Sequence, residues 1–205
     1  MEFVIKGVKI RFTFLFFWML TLFCLIDRSG ILLWGVFAAF IHELGHIIAF
    51  VLVGDLPEEL SFEITGIKMV RSGKAITSGK EIFQLLMGSC TNFLVFLILS
   101  YSLQTVNKVS LFAISHLILG IFNLLPIQSL DGGMILKIIN EKLFGIRKAY
   151  VLGKVVSLMI LIPLFCVGCY LCVSERFHFS LLLVCVWLLV ACIKPVSYTH
   201  LRAHE

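Results

Sequence analysis

Long apolar runs, cut by short polar or charged loops, set the pattern of this chain. Six runs come near the ~20 apolar residues that an α-helix needs to cross a bilayer. They cover residues of about 11–27, 31–54, 81–104, 109–126, 150–173 and 178–194, the first and last being short. The pattern predicts an all-α polytopic membrane protein with about six transmembrane helices. Two loops depart from it. Leu60–Val70 alternates, with Phe62 and Ile64, then Ile67 and Met69, across Thr65-Gly66. Period-two patterning around a turn predicts a small β element, expected at the cytoplasmic face. The other loop, from Pro126 to Ala149, opens with LPIQSLDGG and predicts a short amphipathic helix around Met134–Phe144. The start, MEFVIKGVKIRF, is basic and leads into the first run. No small-residue cleavage site closes that run before Asp27 and Arg28, so it is expected to stay as a span.

Composition agrees with the pattern. Of 205 residues, 60% are hydrophobic and 14% charged, and the mean hydropathy is +1.06. A soluble domain carries about 25% charged residues, so this chain has too few to cover a wet surface. The expected partner of that surface is the lipid bilayer. The net charge of +5 is no sign of nucleic acid, because the basic residues sit in short loops. With the N-terminus placed inside, fourteen of the seventeen Lys and Arg fall on the inner side, and only Arg28, Lys108 and Arg176 fall outside. Such asymmetry predicts a multi-pass protein of the cell membrane with both termini cytoplasmic. Residues 1–195 are expected to form a single membrane domain with a catalytic core at about 30–135. The tail 196–205 is polar and unpatterned. It reads as translated adapter sequence, with a native C-terminus missing, so His200 and His204 are set aside. The seven cysteines lie mostly in apolar runs, which argues against a disulfide framework. Cys166, Cys169 and Cys172 have metal-like spacing but no histidine or carboxylate beside them, so they read as small apolar filler.

The candidate chemistry lies in FIHELGHIIAF, residues 40–50, where three ionisable groups interrupt an apolar run. HELGH matches H-E-x-x-H. Residues four apart share one helical face, so His42 and His46 can bind one cation through their imidazoles. In this motif the glutamate, Glu43, is a general base and not a ligand. A charged group at mid-membrane costs at least ~2.5–3.5 kcal/mol on insertion scales, so such groups face the bundle and serve function. Gly45 keeps the metal face low enough for substrate or a neighbouring helix to approach. The expected cofactor is one Zn2+ per chain.

A catalytic zinc site generally has three protein ligands. His116 is expected in the outer half of its span, away from the motif, and His178 at an aqueous boundary. Asp131 can reach the depth of His42 and His46 if the segment after Pro126 folds back, which Pro126, Gly132 and Gly133 allow and which is tolerated where backbone lines a cavity. Asp131 is therefore the expected third ligand, with the active site toward the cytoplasmic side.

HELGH in the second run, Gly88-Ser89-Cys90-Thr91-Asn92 in the third, and Asn123-Leu124-Leu125-Pro126 followed by Leu130-Asp131-Gly132-Gly133 resemble the site-2 protease family of intramembrane zinc metalloproteases, peptidase family M50. The resemblance covers roughly residues 30–135. It implies zinc ligation by His42, His46 and Asp131, with Glu43 activating water. It also implies a substrate-binding side made of Asn123, with Pro126, Gly132 and Asn92. Six spans without a long extracytoplasmic insert resemble the compact branch that processes a sporulation sigma factor in endospore-forming bacteria. The implied partners are a membrane-tethered or membrane-associated protein substrate and a membrane inhibitor or regulator. No PDZ domain fits here. The CBS domain that often follows the sporulation branch is not in this sequence. Gly-Ser-Cys stands where many relatives have Gly-Pro, which bears on local helix bending and not on zinc.

Three other readings fit these residues less well. A zinc-loaded regulator or scaffold without proteolysis is opposed by the intact Glu43. A metal transporter would line a path with polar residues on several spans, and the first, fifth and sixth runs carry almost none. A prenyl-protein type of protease would need a downstream glutamate ligand. Glu141, in a basic loop, and Glu175, at an outer turn, are poorly placed for that.

Overall fold

The computed structural model describes residues 2–5, 8–14, 18, 21, 31–54, 58–63, 66–70, 76–103, 110–174 and 180–193. Most of the run expected at 11–27, residue His178 and the tail 196–205 lie outside the described residues. By its internal contacts the chain divides into two compact units, Met1–Leu124 and Leu125–Glu205.

The first unit opens with strands β1 (Glu2–Ile5) and β2 (Val8–Phe12), where the sequence predicts only a basic lead-in to a span. The correction has a plain cause. Val8, Ile10 and Phe12 alternate with Lys9 and Arg11, a period-two pattern that a spanning helix does not have. The first apolar run therefore begins after Phe12 and not at residue 11. Strands β3 (Glu59–Glu63) and β4 (Gly66–Val70) supply the expected β element. Glu63 pairs with Gly66, so Gly66, expected in the turn, belongs to β4; Thr65 lies outside the described residues. The four strands form one sheet in the order β1-β2-β3-β4, with β2 and β3 parallel and the outer pairs antiparallel. Arg11 ties three strands together. Its Nε donates to Glu2 Oε1 at 2.7 Å and its Nη1 lies 3.3 Å from Glu59 Oε1. Exposed pairs of this kind contribute about 0–1 kcal/mol, so they favour the register more than they stabilise the sheet.

Among the described residues this unit also contains helices α1 (Ile31–Val53), α2 (Ser78–Leu103) and α3 (Leu111–Asn123), and each contacts the other two. Helix α1 stops where Gly54 takes φ +73° and its N–H bonds the Val51 carbonyl at 3.1 Å, a left-handed stop that glycine makes at no steric cost. Helix α3 starts at Ser110, whose Oγ accepts from the Ala113 N–H at 3.1 Å.

Burial in this unit is inverted relative to a water-soluble bundle. Phe37, Phe40, Leu44, Ile48, Leu97 and Ile118 face outward, whereas His42, His46, Gln84, Ser89, Asn92 and His116 are buried beside Ala38, Ala49 and Ala113. Apolar outside and small or polar inside is what lipid demands, since hydrocarbon gives no hydrophobic drive to bury leucine. Among the described residues three helices, Leu33–Val53, Ser78–Ser102 and Ile146–Ser174, are long and apolar enough to cross a membrane. Leu111–Asn123 and Leu181–Cys192 are shorter apolar helices at two further expected places.

The second unit contains α4 (Asp131–Phe144), α5 (Ile146–Ser174) and α6 (Ser180–Ile193). Gly145, at φ +79°, separates α4 from α5, which continues through Pro163. The six described cysteines are all free.

Candidate metal centre

The HELGH motif lies at the middle of α1, with His42 the twelfth of its 23 residues. The helical spacing brings the two imidazoles onto one buried face. Their Nε2 atoms are 3.1 Å apart and the rings stand nearly perpendicular, at 85°. Two nitrogens each ~2.0–2.1 Å from one tetrahedral zinc would lie about 3.3–3.4 Å apart. The histidine pair thus fits a shared metal ion by donor type and by spacing. Glu43, next in the chain to His42, is half-buried.

Helix α2 holds this face in place from the other side. The His46 Nδ1–H donates to the Gln84 carbonyl at 2.8 Å, which leaves the Nε2 lone pair directed at His42. The Asn92 Nδ2–H donates to His42 Nδ1 at 3.2 Å, and Asn92 Oδ1 accepts from the His116 Nδ1–H at 2.9 Å. Two glycines permit this approach of α1 and α2. A Cβ on Gly45 would stand 2.7 Å from the Met87 carbonyl oxygen, so the small residue serves the neighbouring helix. A Cβ on Gly88 would lie 2.5 Å from His46 Nε2 and 2.7 Å from His42 Cε1.

His116 is the correction at this site. It was expected away from the motif, but it is linked to His42 through a single side chain, Asn92. Helix α3 is only 13 residues long, so His116, its sixth residue, sits near mid-helix as His42 does in α1. Asn92 was expected at the substrate. It is fully buried, with its amide held between two histidines. Asn123, the last residue of α3, donates from Nδ2 to the Leu119 carbonyl at 3.1 Å and is half-buried.

The second unit presents Asp131 as the first residue of α4, half-buried, where the helix dipole favours a carboxylate. Gly132 follows it in the helix, and Pro126 lies in the turn before it. That turn is firmly fixed. The Gln128 N–H donates to Ser157 Oγ at 2.9 Å, Ser157 Oγ donates to the Gly153 carbonyl at 2.7 Å, and Gln128 Nε2 donates to the Tyr150 carbonyl at 3.1 Å. Ile127 is fully buried, and its carbonyl occupies the space that a Cβ on Gly133 would need. The irregular backbone expected after Pro126 is therefore a short turn, and the helix expected at about 134 begins at Asp131.

Gln84, Gln128, Ser157 and His116 were not among the residues assigned to the site from sequence. For His116 and Ser157 one signal was available, namely a polar side chain inside an apolar run, which marks function by default; Gln84 acts through its backbone carbonyl and Gln128 lies in a loop, so neither is marked that way.

Comparison with known proteins bears on both units. The model of Peptidase family M50 matches residues 100–165, a stretch that holds Asn123, Pro126 and Asp131 but not HELGH. Among solved structures the chain is similar to "Site-2 Protease from Methanocaldococcus jannaschii", with a TM-score of 0.68 and 21% identity over 94% of this chain and 93% of that one. No curated protein matches the chain.

Proposed function

We propose that this chain, which its M50 match and its fold support as a member of the site-2 protease family, cleaves a peptide bond in or beside a membrane segment of another protein. The observation that carries the reading is the pair of buried Nε2 atoms 3.1 Å apart on a helix apolar enough to span a bilayer. His42, His46 and Asp131 are a donor set that could hold a metal ion, and two imidazoles with one carboxylate suit zinc.

In this reading His42, His46 and Asp131 hold one zinc per chain. Zinc, when bound, polarises the scissile carbonyl and lowers the pKa of a water toward ~7. The chain's own residues do the rest. The Glu43 carboxylate takes the proton of the attacking water and gives it to the leaving amine. Asn123, with Pro126 and Gly132, lines the path of an unwound substrate strand. Asn92 takes part as the support of His42. The edge of the four-stranded sheet offers backbone groups on which an extended segment can pair. A membrane-tethered substrate such as a sigma-factor precursor, a membrane regulator, six spans, and cytoplasmic termini with the site toward the cytoplasm belong to the same proposal.

Two substitutions separate metal binding from substrate handling. Asp131→Ala should weaken zinc by more than the ~10–100-fold typical of an outer-shell partner, read by chelator competition on purified protein. Full zinc retention and full cleavage in that variant would remove Asp131 from the ligand set. Asn123→Ala should slow cleavage about tenfold, the effect of one hydrogen bond worth ~1.4 kcal/mol, with zinc unchanged. Zinc lost in Asn123→Ala would make Asn123 part of the metal site.

A further inference from the structure

Helix α5 is longer than a membrane needs. Its 29 residues, at a rise of ~1.5 Å each, measure about 43 Å against a hydrocarbon core of ~30 Å. The excess lies at its start. Residues 155–174 carry no charge and span about 30 Å by themselves, whereas residues 146–154 contain Arg147, Lys148 and Lys154. With 155–174 in the hydrocarbon, roughly the first two turns of α5 stand in the headgroup layer. The end of α4, one glycine away, stands there with them.

The joint between the two helices is exposed, basic and apolar at once. Gly145 turns the chain at φ +79°, and a Cβ on it would meet nothing within 4 Å. Leu143, Phe144 and Ile146 are 66%, 53% and 52% exposed, so the described residues leave them largely uncovered. Lys142, Arg147 and Lys148 lie exposed beside them. The charge there is one-sided. Residues 132–154 hold five basic side chains and one acid, Glu141, which is half-buried and lies 3.7 Å from Lys137. Asp131 opens α4 about three turns before Lys142.

We propose that this joint is a docking surface for anionic phospholipid, with Lys142, Arg147 and Lys148 on the headgroup phosphates and Leu143, Phe144 and Ile146 against the first acyl carbons. Two features favour lipid over an acidic protein segment. The first is depth, because the joint sits where an uncharged stretch of membrane length ends. The second is the mixture of cations with large apolar side chains, which suits a ligand that is anionic at one end and apolar at the other. Long basic side chains lay their stems on apolar surface and keep their charged ends in the polar layer. Each basic residue near an anionic leaflet strengthens binding about fivefold. Docking of this kind requires α5 to cross a bilayer and does not depend on peptidase activity.

Native mass spectrometry of the full chain in detergent, titrated with phosphatidylglycerol or with phosphatidylcholine of the same acyl chains, reads both affinities. Wild type should prefer phosphatidylglycerol. Lys142→Gln/Arg147→Gln/Lys148→Gln should bind phosphatidylglycerol at least about fivefold more weakly, the share of one basic residue, with phosphatidylcholine unchanged. The charge-keeping variant Lys142→Arg/Arg147→Lys/Lys148→Arg should match wild type. Lys80→Gln, which removes an exposed lysine at the start of α2, should match it too. Equal affinity of wild type for the two lipids would overturn the proposal and make an acidic protein segment the better occupant. Undiminished phosphatidylglycerol binding in the triple Gln variant would overturn it as well, because the preference would then come from other basic residues. A loss of the same size in Lys80→Gln or in the charge-keeping variant would also overturn it. Arg147→Gln/Lys148→Gln replaces the triple Gln variant if the latter does not fold.

Discussion

Glu43→Gln is expected to cut the rate of substrate cleavage by about 10²–10⁴-fold, the span typical of a lost general acid–base group, while zinc stays bound. The amide keeps the shape of the side chain and removes its capacity to take a proton. Zinc is expected to stay because its proposed nitrogen donors are His42 and His46, whose Nε2 atoms converge independently of Glu43. The supports of those rings, the Gln84 carbonyl and Asn92, lie on α2 and are untouched by the change. The assay pairs cleavage of a co-expressed, tagged single-span substrate with the metal content of the purified variant. Cleavage within a few-fold of wild type would take the general-base role from Glu43. Loss of zinc would mean that Glu43 helps to hold the metal.

Gly88→Ala is expected to disable the same site from the opposite helix. The added methyl would lie 2.5 Å from His46 Nε2, 2.6 Å from His46 Cε1 and 2.7 Å from His42 Cε1. Those distances are nearly 1 Å inside the ~3.5–4.0 Å at which carbon pairs attract. Neither ring has an easy escape, since His46 is held by the Gln84 carbonyl and His42 by Asn92. Either α2 moves away or the ring pair opens. Zinc affinity should fall about 10–100-fold, as for loss of an outer-shell support, and a displacement near 1 Å should cost cleavage ~10²-fold. Gly79→Ala is the matched control on the same helix, because a Cβ there meets nothing within 4 Å. It should leave zinc and cleavage unchanged. Equal zinc affinity in the two variants would show that Gly88 does not limit the metal face.

What the sequence disclosed follows from the range of the interactions involved. HELGH was legible because its geometry is local, with one helical turn setting the spacing of His42 and His46. The apolar runs were legible because lipid imposes them residue by residue. The strand pair at Glu59–Glu63 and Gly66–Val70 was legible from alternation, though Gly66 proved to be in a strand. Strands β1 and β2 were missed because Val8, Ile10 and Phe12 adjoin an apolar run, and hydropathy alone does not separate period two from a spanning helix. The link of His116 to the motif was missed because it runs through Asn92, 24 residues away in the chain. Asn92 and Gln84 escaped as supports because they lie 50 and 38 residues from the histidines they hold. The clasp of Gln128 on Ser157 spans 29 residues, and no local pattern announces it.

The most direct test of the central claim is the metal content of the purified full chain. Wild type and the double variant His42→Ala/His46→Ala would be prepared alike in detergent and analysed for zinc by elemental analysis. One zinc per wild-type chain and none in the double variant is the predicted result. A wild type that carries no zinc and takes up none, or a double variant with as much zinc as wild type, would contradict a metal centre built on His42 and His46.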